Sequence, residues 1–202
     1  KEARFNPMGV SEAELAAVHA KKFAVVDDAI GEKMQERILQ AKGELNSVGG
    51  VIEAIALHLP AGVGAPYFDS VESVLSHALF SVPAVKAVEF GDGFGFAELT
   101  GAEANDALHY VDGKVQGLTN HNGGITGGIT NGMPLVVRVA IKPTPSIARE
   151  QQTVSLKEQA DTTLAIVGRH DPCIVQRAVP VIEAVVAWTL WDLLIEAKKW
   201  EK

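Results

Sequence analysis

The sequence predicts one soluble domain of the α+β class. Helical and strand patterns mix along the chain without the regular alternation that builds a parallel sheet. No tandem repeat, low-complexity tract or linker divides the 202 residues, so residues 1–202 are treated as one unit. A hydrophobic content of 47% with 21% charged residues is enough for a sizeable core under an ordinary soluble surface.

The first half of the chain is predicted to form three helices and two strands. Ser11 and Glu14 make a capping box that begins the first helix, and Gly43 lies where the second should end. Apolar residues at three- and four-residue spacing mark the third helix, which Pro83 ends. The predicted elements are a helix to Lys21 or Lys22, a helix over Asp28–Lys42, a strand over Val51–Leu59, a helix over Asp69–Val82 and a strand over Val85–Phe90.

The second half is predicted to contain the best strand and the longest helix. Residues 112–134 are glycine-rich and show no clean period. In Leu135–Lys142, alternate residues from Leu135 are all apolar, whereas Arg138 and Lys142 share the opposite face. Thr153–Leu156 is a candidate short strand. Pro180–Lys199 is apolar around most of a helix, which predicts burial in a core or in a subunit interface.

Charge and cysteine content exclude several classes of protein. A formal net charge of −7 argues against general nucleic-acid binding. The single cysteine, Cys173, permits no intrachain disulfide, which agrees with a reducing cytosol. The longest apolar run contains Glu183 and Asp192, which favours a buried helix over a membrane span. The chain carries no signal-peptide pattern. Because it starts at Lys1 and not at a methionine, we expect a fragment or a processed form.

Two glycine-rich motifs are candidate ligand loops. Paired glycines in Asn120-His-Asn-Gly-Gly-Ile-Thr-Gly-Gly-Ile-Thr-Asn-Gly132 let backbone N–H groups approach a flavin, a phosphate or a planar ring. The alternative is a mobile surface loop. Gly91-Asp-Gly-Phe-Gly95 has the spacing G-x-G-x-G rather than G-x-G-x-x-G, so we interpret it as a tight turn and not as a dinucleotide fingerprint.

Two further motifs carry charge beside rigid prolines. Lys142-Pro-Thr-Pro-Ser146 ends the best strand, and its lysine could hold an anion or a flavin edge, or it could simply be a solvated strand end. Arg169-His-Asp-Pro-Cys173 groups a cation, an imidazole, a carboxylate and a thiol. Asp171 and Pro172 also suit a helix start, as N-cap and first helical residue. His121 and His170 have no metal-ligand spacing with other residues, and no metal is proposed.

Together these segments resemble chorismate synthase. Arg169-His-Asp-Pro-Cys-Ile-Val-Gln-Arg-Ala-Val-Pro-Val-Ile-Glu-Ala184 closely matches the family's C-terminal signature. The loop 120–132 is similar to its central glycine loop, and Lys142–Ser146 to its flavin-contacting strand end. Two segments also match, Ser47-Val-Gly-Gly-Val-Ile-Glu53 and Ser81-Val-Pro-Ala-Val-Lys-Ala-Val-Glu-Phe-Gly-Asp-Gly-Phe94. The matches follow family order from about Gly43 to the last helix.

The departures from the family are small within these motifs. Asn46 stands where Asp is usual, Asn122 where Ala is common and Gln176 where Pro is common. The larger departure is the family's N-terminal part, with its Gly-Glu-Ser-His-Gly motif, its arginine-rich Ser-Arg stretch and two catalytic histidines, which this sequence does not contain. The resemblance therefore implies the C-terminal part of a chorismate synthase, inactive by itself.

The resemblance implies a specific chemistry for the intact enzyme. It would convert 5-enolpyruvylshikimate 3-phosphate to chorismate and phosphate by a trans-1,4 elimination in the shikimate pathway, with reduced FMN and no net redox change. It further implies a β-α-β sandwich of antiparallel sheets and helices, a cytoplasmic location and a homotetramer. A catalytically inactive flavin- or partner-binding remnant and a purely structural fragment that folds only as an oligomer remain the alternatives.

The resemblance also assigns individual residues. Asp171 would handle a proton near the flavin N5, and Arg169 would bind the anionic substrate or the flavin. The FMN site would be lined by Pro83, Ala84, Gly127, Lys142, Pro143, Thr144, Pro145 and Ser146. If one flavin contacts all of them, then Gly127, Lys142 and Arg169 should converge in space.

Overall fold

The computed structural model describes residues 2–198, and its helices and antiparallel sheets confirm the α+β class. The α-helices are α1 (Glu12–His19), α2 (Asp28–Gly43), α3 (Val71–Phe80) and α4 (Val175–Lys198), with short 3-10 helices at Tyr67–Asp69 and Gly93–Glu98. The strands are β1 (Gly50–Ala56), β2 (Val85–Phe90), β3 (Leu108–Val111), β4 (Lys114–Gly117), β5 (Ile125–Thr126), β6 (Ile129–Thr130), β7 (Leu135–Ile141), β8 (Gln151–Ser155) and β9 (Ala160–Leu164).

A three-stranded antiparallel sheet of order β1-β7-β2 is the centre of the fold. At one end of it Ile141 of β7 lies opposite both Gly50 and Val85, and at the other end Leu135 lies opposite Ala56. The remaining strands form three separate hairpins, β3-β4, β5-β6 and β8-β9. Because β7 is central, both of its ends are fixed by neighbouring strands, and the loops that follow Ile141 inherit a defined position.

Helices α3 and α4 cover one face of this sheet. Alternate β7 residues from Leu135 to Ile141 lie in the hydrophobic core, as their spacing predicts. Against them pack the buried stripe of α3 and one side of α4, comprising Val71, Leu75, Leu79, Ile182, Val186, Leu190 and Leu193. By length and composition α4 could cross a membrane, with a mean hydropathy of 1.8 over its most apolar window, and its inward side packs in the hydrophobic core.

The opposite face of the sheet carries a row of charges. Arg138 of β7 is 5% exposed and lies directly across from Glu53 of β1 and Glu89 of β2. Its Nε lies 2.8 Å from a Glu89 carboxylate oxygen, and its guanidinium donates to the carbonyl of Gly91. The row therefore anchors the turn after β2 to the central strand.

Three element predictions are corrected by the structure. The last helix begins at Val175 rather than at Pro180, which lies inside α4, and the predicted end at Lys199 is outside the described residues. The strand predicted over Val51–Leu59 ends at Ala56. The candidate strand over Thr153–Leu156 is β8, Gln151–Ser155, and it pairs with β9, a strand that the sequence did not reveal.

Candidate functional site

A cavity of about 540 Å³ opens beside the sheet end where β7 finishes. Two segments far apart in the sequence meet there, the strand end after Ile141 and the segment before α4. We call it the Arg169 cavity, and it is lined by Thr144, Ser146, Arg169, His170, Asp171, Ile174 and Arg177. Residues of the motifs Lys142–Ser146 and Arg169–Cys173 therefore line one cavity.

The segment Ser47–Gly49, just before β1, holds the two halves of this site together. The Ser47 hydroxyl donates to the Thr144 carbonyl at 2.6 Å, and the Val48 N–H donates to the Pro172 carbonyl at 2.8 Å. Gly49 lies so close to the strand end that an added Cβ would be 2.2 Å from the Ile141 carbonyl oxygen. Only a residue without a side chain permits this approach.

The turn between α3 and β2 adjoins the same sheet end. The backbone N–H of Lys142 donates to the Ala84 carbonyl at 2.9 Å, which fixes Pro83 and Ala84 beside the strand end. Ala84 has a φ of 74°, a left-handed conformation that is unfavourable for alanine and is found most often at functional sites. The Lys142 side chain and Pro143 are exposed. Pro83, Ala84 and Lys142 thus lie together at the sheet end from which Thr144 and Ser146 continue to the cavity.

Asp171 does not cap a helix, as its sequence context suggests, but forms an ion pair. The interpretation of Asp171 and Pro172 as a helix start is wrong, because α4 begins at Val175. The Asp171 carboxylate instead pairs with the guanidinium of Arg177 in the first turn of α4. The two side chains are 40% and 74% exposed, so the pair lies at the open side of the cavity.

Polar groups in the cavity are partly unsatisfied. The buried Oγ1 of Thr144 has no hydrogen-bond partner among the residues that the structure describes. His170 Nε2 lies 2.9 Å from the carbonyl of Ile166, so this nitrogen carries the proton and Nδ1 is left as an acceptor in the neutral ring. A buried hydroxyl without a partner costs free energy, and Thr144 would recover it by turning its hydroxyl toward a water or a polar ligand in the cavity.

Cys173 is a packing residue. Burial raises the pKa of its thiol, the neighbouring Asp171 raises it further, and the Val175 N–H opposes both only in part. The side chain is half-buried and packs against the core. A thiol of raised pKa is little ionised near neutral pH and reacts weakly as a nucleophile, so Cys173 is assigned to packing and not to chemistry.

Gly127 does not join the cavity within one chain. It occupies the turn of the β5-β6 hairpin, and the next residue, Gly128, accepts a hydrogen bond from the Val71 N–H at the start of α3. Thr130 in β6 bonds to Val63 and Pro60, just beyond the end of β1. Gly127 therefore precedes β7 while Lys142 follows it, and β7 alone spans about 20 Å.

A second polar network supports the glycine loop at that far end. The Asp106 carboxylate accepts hydrogen bonds from the Thr119 hydroxyl, from the backbone N–H groups of His121 and Asn122, and from the Asn122 amide. Burial acts to raise the Asp106 pKa, but these bonds together hold it below its usual value. His121 Nδ1 lies 2.6 Å from Asp92. The loop is thus a fixed structure in this part rather than a mobile surface segment.

Sequence reasoning missed four contributors to the site. His170 and Arg177 lie inside the signature 169–184, and Ser47 and Gly49 lie inside a matching motif, but none was assigned a role. A glycine pair directly before a strand was the available signal for a close backbone approach at Gly49. The Arg177 contact had no such signal, because it depends on how residues 171–174 turn before α4.

Comparison with known proteins places this geometry in a family. The family model described as chorismate synthase matches residues 6–195. A chorismate synthase from Thermococcus gammatolerans is 50% identical over 175 residues, and one from Thermococcus kodakarensis is 49% identical over the same length. A solved structure titled "Crystal Structure of Chorismate Synthase" is 29% identical, with a TM-score of 0.73 over 91% of this chain. The chain belongs to the chorismate synthase family.

The match covers only part of these relatives. The match with each Thermococcus protein takes in 87% of this chain but 49% of that protein. The match with the solved structure covers 48% of the solved chain. The chain therefore spans about half the length of the curated relatives that it matches.

Proposed function

We propose that the Arg169 cavity is the flavin end of a chorismate synthase active site. The observation that supports this proposal most directly is that two segments more than twenty residues apart line one cavity. They contribute Thr144 and Ser146 from one segment, and Arg169 and Asp171 from the other. The intact enzyme would convert 5-enolpyruvylshikimate 3-phosphate to chorismate and phosphate by trans-1,4 elimination, within aromatic amino acid biosynthesis.

The cavity residues suit reduced FMN. A volume of about 540 Å³ lies within the range of cofactor sites. Arg169 supplies a cation, and Thr144 and Ser146 supply polar groups. Pro83, Ala84, Lys142, Pro143 and Pro145 do not line the cavity, and in this proposal they contact the flavin from the adjoining strand end, where the Lys142 N–H bonds to Ala84. When bound, reduced FMN supplies the electron density that the ring of the substrate needs as phosphate departs.

The chain's own groups have separate roles in this proposal. Asp171 holds or moves a proton beside the flavin N5, and Arg169 binds the anionic ligand and stabilises negative charge on the leaving phosphate. No group of three or more His, Cys, Asp or Glu in residues 2–198 is arranged to hold a metal ion.

Gly127 fits the proposal only across a subunit boundary. It lies at the opposite end of the sheet from Lys142, so within one chain it does not reach the same cavity. A flavin that contacts both residues therefore lies between two subunits, which agrees with the homotetramer that we propose for the intact enzyme. The cytoplasmic location that we also propose rests on the family alone. A remnant that binds flavin or a partner without catalysis is the second candidate, because the chain spans half of its relatives.

The test is Asp171→Asn, introduced into the full-length enzyme. We expect turnover to fall by about 100-fold or more, because Asn cannot transfer the proton, while FMN affinity stays nearly unchanged. Stopped-flow chorismate formation and flavin fluorescence titration measure the two quantities. Asp161→Asn, an exposed change in β9, is the matched control and should leave both quantities unchanged. Near-normal turnover in Asp171→Asn would remove Asp171 from the mechanism.

A further inference from the structure

We propose that Arg177 is an anion-binding residue of the Arg169 cavity, and that the Asp171 carboxylate occupies its guanidinium until a phosphate group replaces it. The inference rests on the proposed function in assigning the cavity to phosphorylated ligands. Arg177 lies inside the family signature 169–184, but the resemblance assigned it no role.

The position of Arg177 is costly unless an anion is nearby. It lies in the first turn of α4, where the free N–H groups of the helix already make the surroundings positive. A cation is disfavoured there by the helix dipole. Asp171 offsets this charge, but a pair whose members are 74% and 40% exposed adds little stability to a folded protein. Stability alone therefore does not account for an arginine at this place.

The charges that line the cavity do not cancel. Arg169 and Arg177 are two permanent cations, and among the lining residues Asp171 carries the one carboxylate. The excess is one positive charge, since two cations and one anion sum to +1. The start of α4 adds its own positive field. The cavity therefore attracts an anion even while Asp171 pairs with Arg177.

The polar groups around Arg177 fit phosphate in particular. A guanidinium donates two parallel hydrogen bonds to a phosphate as readily as to a carboxylate. Thr144 and Ser146 also line the cavity, so two residues with hydroxyl groups lie beside the two arginines. Phosphate carries more charge than the Asp171 carboxylate and is expected to displace it from Arg177. The exchange would leave the Asp171 carboxylate without its partner at the moment the ligand is bound.

The experiment titrates the 202-residue chain with inorganic phosphate and follows the arginine side-chain N–H resonances by NMR. We expect a saturable shift of Arg177 in the unmodified chain. Arg177→Met should weaken phosphate affinity about tenfold, and Arg177→Lys, which keeps the charge but not the fork, should weaken it less. Asp171→Asn removes the competing carboxylate and should strengthen phosphate affinity. Arg37→Met, on the exposed side of α2, is the matched control and should change nothing.

Each outcome decides the inference. Unchanged phosphate affinity in both Arg177 variants overturns it, as does weaker phosphate binding in Asp171→Asn, since a purely structural pair would behave in that way. An equal loss in Arg37→Met would show general charge attraction and would also overturn it. FMN titrations of the full-length enzyme, which contains every part of the proposed flavin site, separate the two proposals. Phosphate binding that needs Arg177 without any FMN binding upholds this inference and contradicts the proposed flavin site. FMN binding together with phosphate binding that does not need Arg177 supports the flavin site and overturns this inference.

Discussion

Arg138 lies between two glutamates on the sheet face turned away from α3 and α4, and the two carboxylates are not equivalent. Glu89 lies within ion-pair distance of the guanidinium. Glu53 is held mainly by the Phe5 N–H at 3.1 Å. Burial raises the pKa of Glu53, and this cost outweighs the Phe5 hydrogen bond and the attraction to Arg138 and Arg4. Glu53 is therefore a carboxylate that the fold tolerates rather than one that stabilises it.

The raised pKa of Glu53 predicts a pH-dependent gain in stability from Glu53→Gln. The stability associated with its protonated form is fully present below the unfolded pKa and is lost as pH rises through the higher folded pKa. The neutral amide should therefore raise the urea midpoint at pH 7, and the gain should disappear at about pH 3.5, where the carboxyl is protonated in both states. Circular dichroism during urea unfolding at both pH values measures it.

Glu89→Gln is the matched control for this change. It removes the carboxylate that lies 2.8 Å from the buried Arg138 guanidinium, so it should lower the urea midpoint at pH 7. Loss of stability in both variants at pH 7 would show that attraction to Arg138, and not burial, governs Glu53.

At the scale of elements, the cavity depends on three backbone segments that meet at one end of the sheet. Residues 142–146 leave β7, residues 169–174 approach α4, and Ser47–Gly49 lies between them and bonds to both. The segment that begins at Ser47 thus holds the cavity-lining residues in position, although none of its own residues lines the cavity. Its contribution is the close approach at Gly49.

Gly49→Ala should disturb this arrangement. The new Cβ would lie 2.2 Å from the Ile141 carbonyl oxygen and 3.0 Å from the Pro143 nitrogen, and both are backbone atoms that do not move without displacing the strand end. We expect a loss of about 1–3 kcal/mol in the free energy of unfolding, as for other overpacked positions, together with weaker phosphate binding at the cavity. Urea unfolding and the phosphate titration measure the two effects.

Gly43→Ala provides the comparison for this substitution. Gly43 ends α2, and nothing lies within 4 Å of an added Cβ there, so the change should be neutral or stabilising. Equal stability of the Gly49 and Gly43 variants would contradict a role for the close approach at Gly49.

The sequence predicted those elements whose hydrophobic pattern is strong. The alternation of β7 and the apolar stripe of α3 located both elements to within two residues at each end. β9 escaped because Ala160–Leu164 is exposed throughout and has no buried face to produce a pattern. The start of α4 was misplaced because Pro180 favours a first helical turn, whereas the helix accommodates it in its interior. The alternative helix start at Asp171 and Pro172 erred in the other direction, because α4 begins three residues after Pro172.

The motifs predicted which residues belong to the candidate site, but not how those residues are arranged in space. The motifs located Thr144, Ser146, Arg169 and Asp171 in one cavity because the resemblance carries long-range information that periodicity lacks. It placed Gly127 with them because a sequence motif does not say whether two residues meet within one chain or between chains. That distinction depends on which end of β7 each residue occupies.

At the scale of the whole molecule, the outward side of α4 is an exposed apolar surface. Its inward side lies in the core, yet Trp188 and Trp191 are 76% and 64% exposed, and Val181 and Ile195 extend the same apolar strip. Exposed apolar strips of this kind mark interaction surfaces. The prediction that this helix is buried is therefore confirmed on one side, and the other side is available for association.

The 202-residue chain alone should form no chorismate from 5-enolpyruvylshikimate 3-phosphate and reduced FMN. Positioning and charge stabilisation supply most of the rate in such a reaction, and the chain spans only about half of its chorismate synthase relatives. The resemblance assigns the acid-base histidines and most substrate-binding arginines to the other half, so Arg169, Arg177 and Asp171 form a partial site here. The assay supplies chemically reduced FMN without oxygen and follows chorismate absorbance, with the full-length Thermococcus gammatolerans relative as the positive control. Robust turnover by this chain would place the essential acid and base among His121, His170 and Asp171 instead.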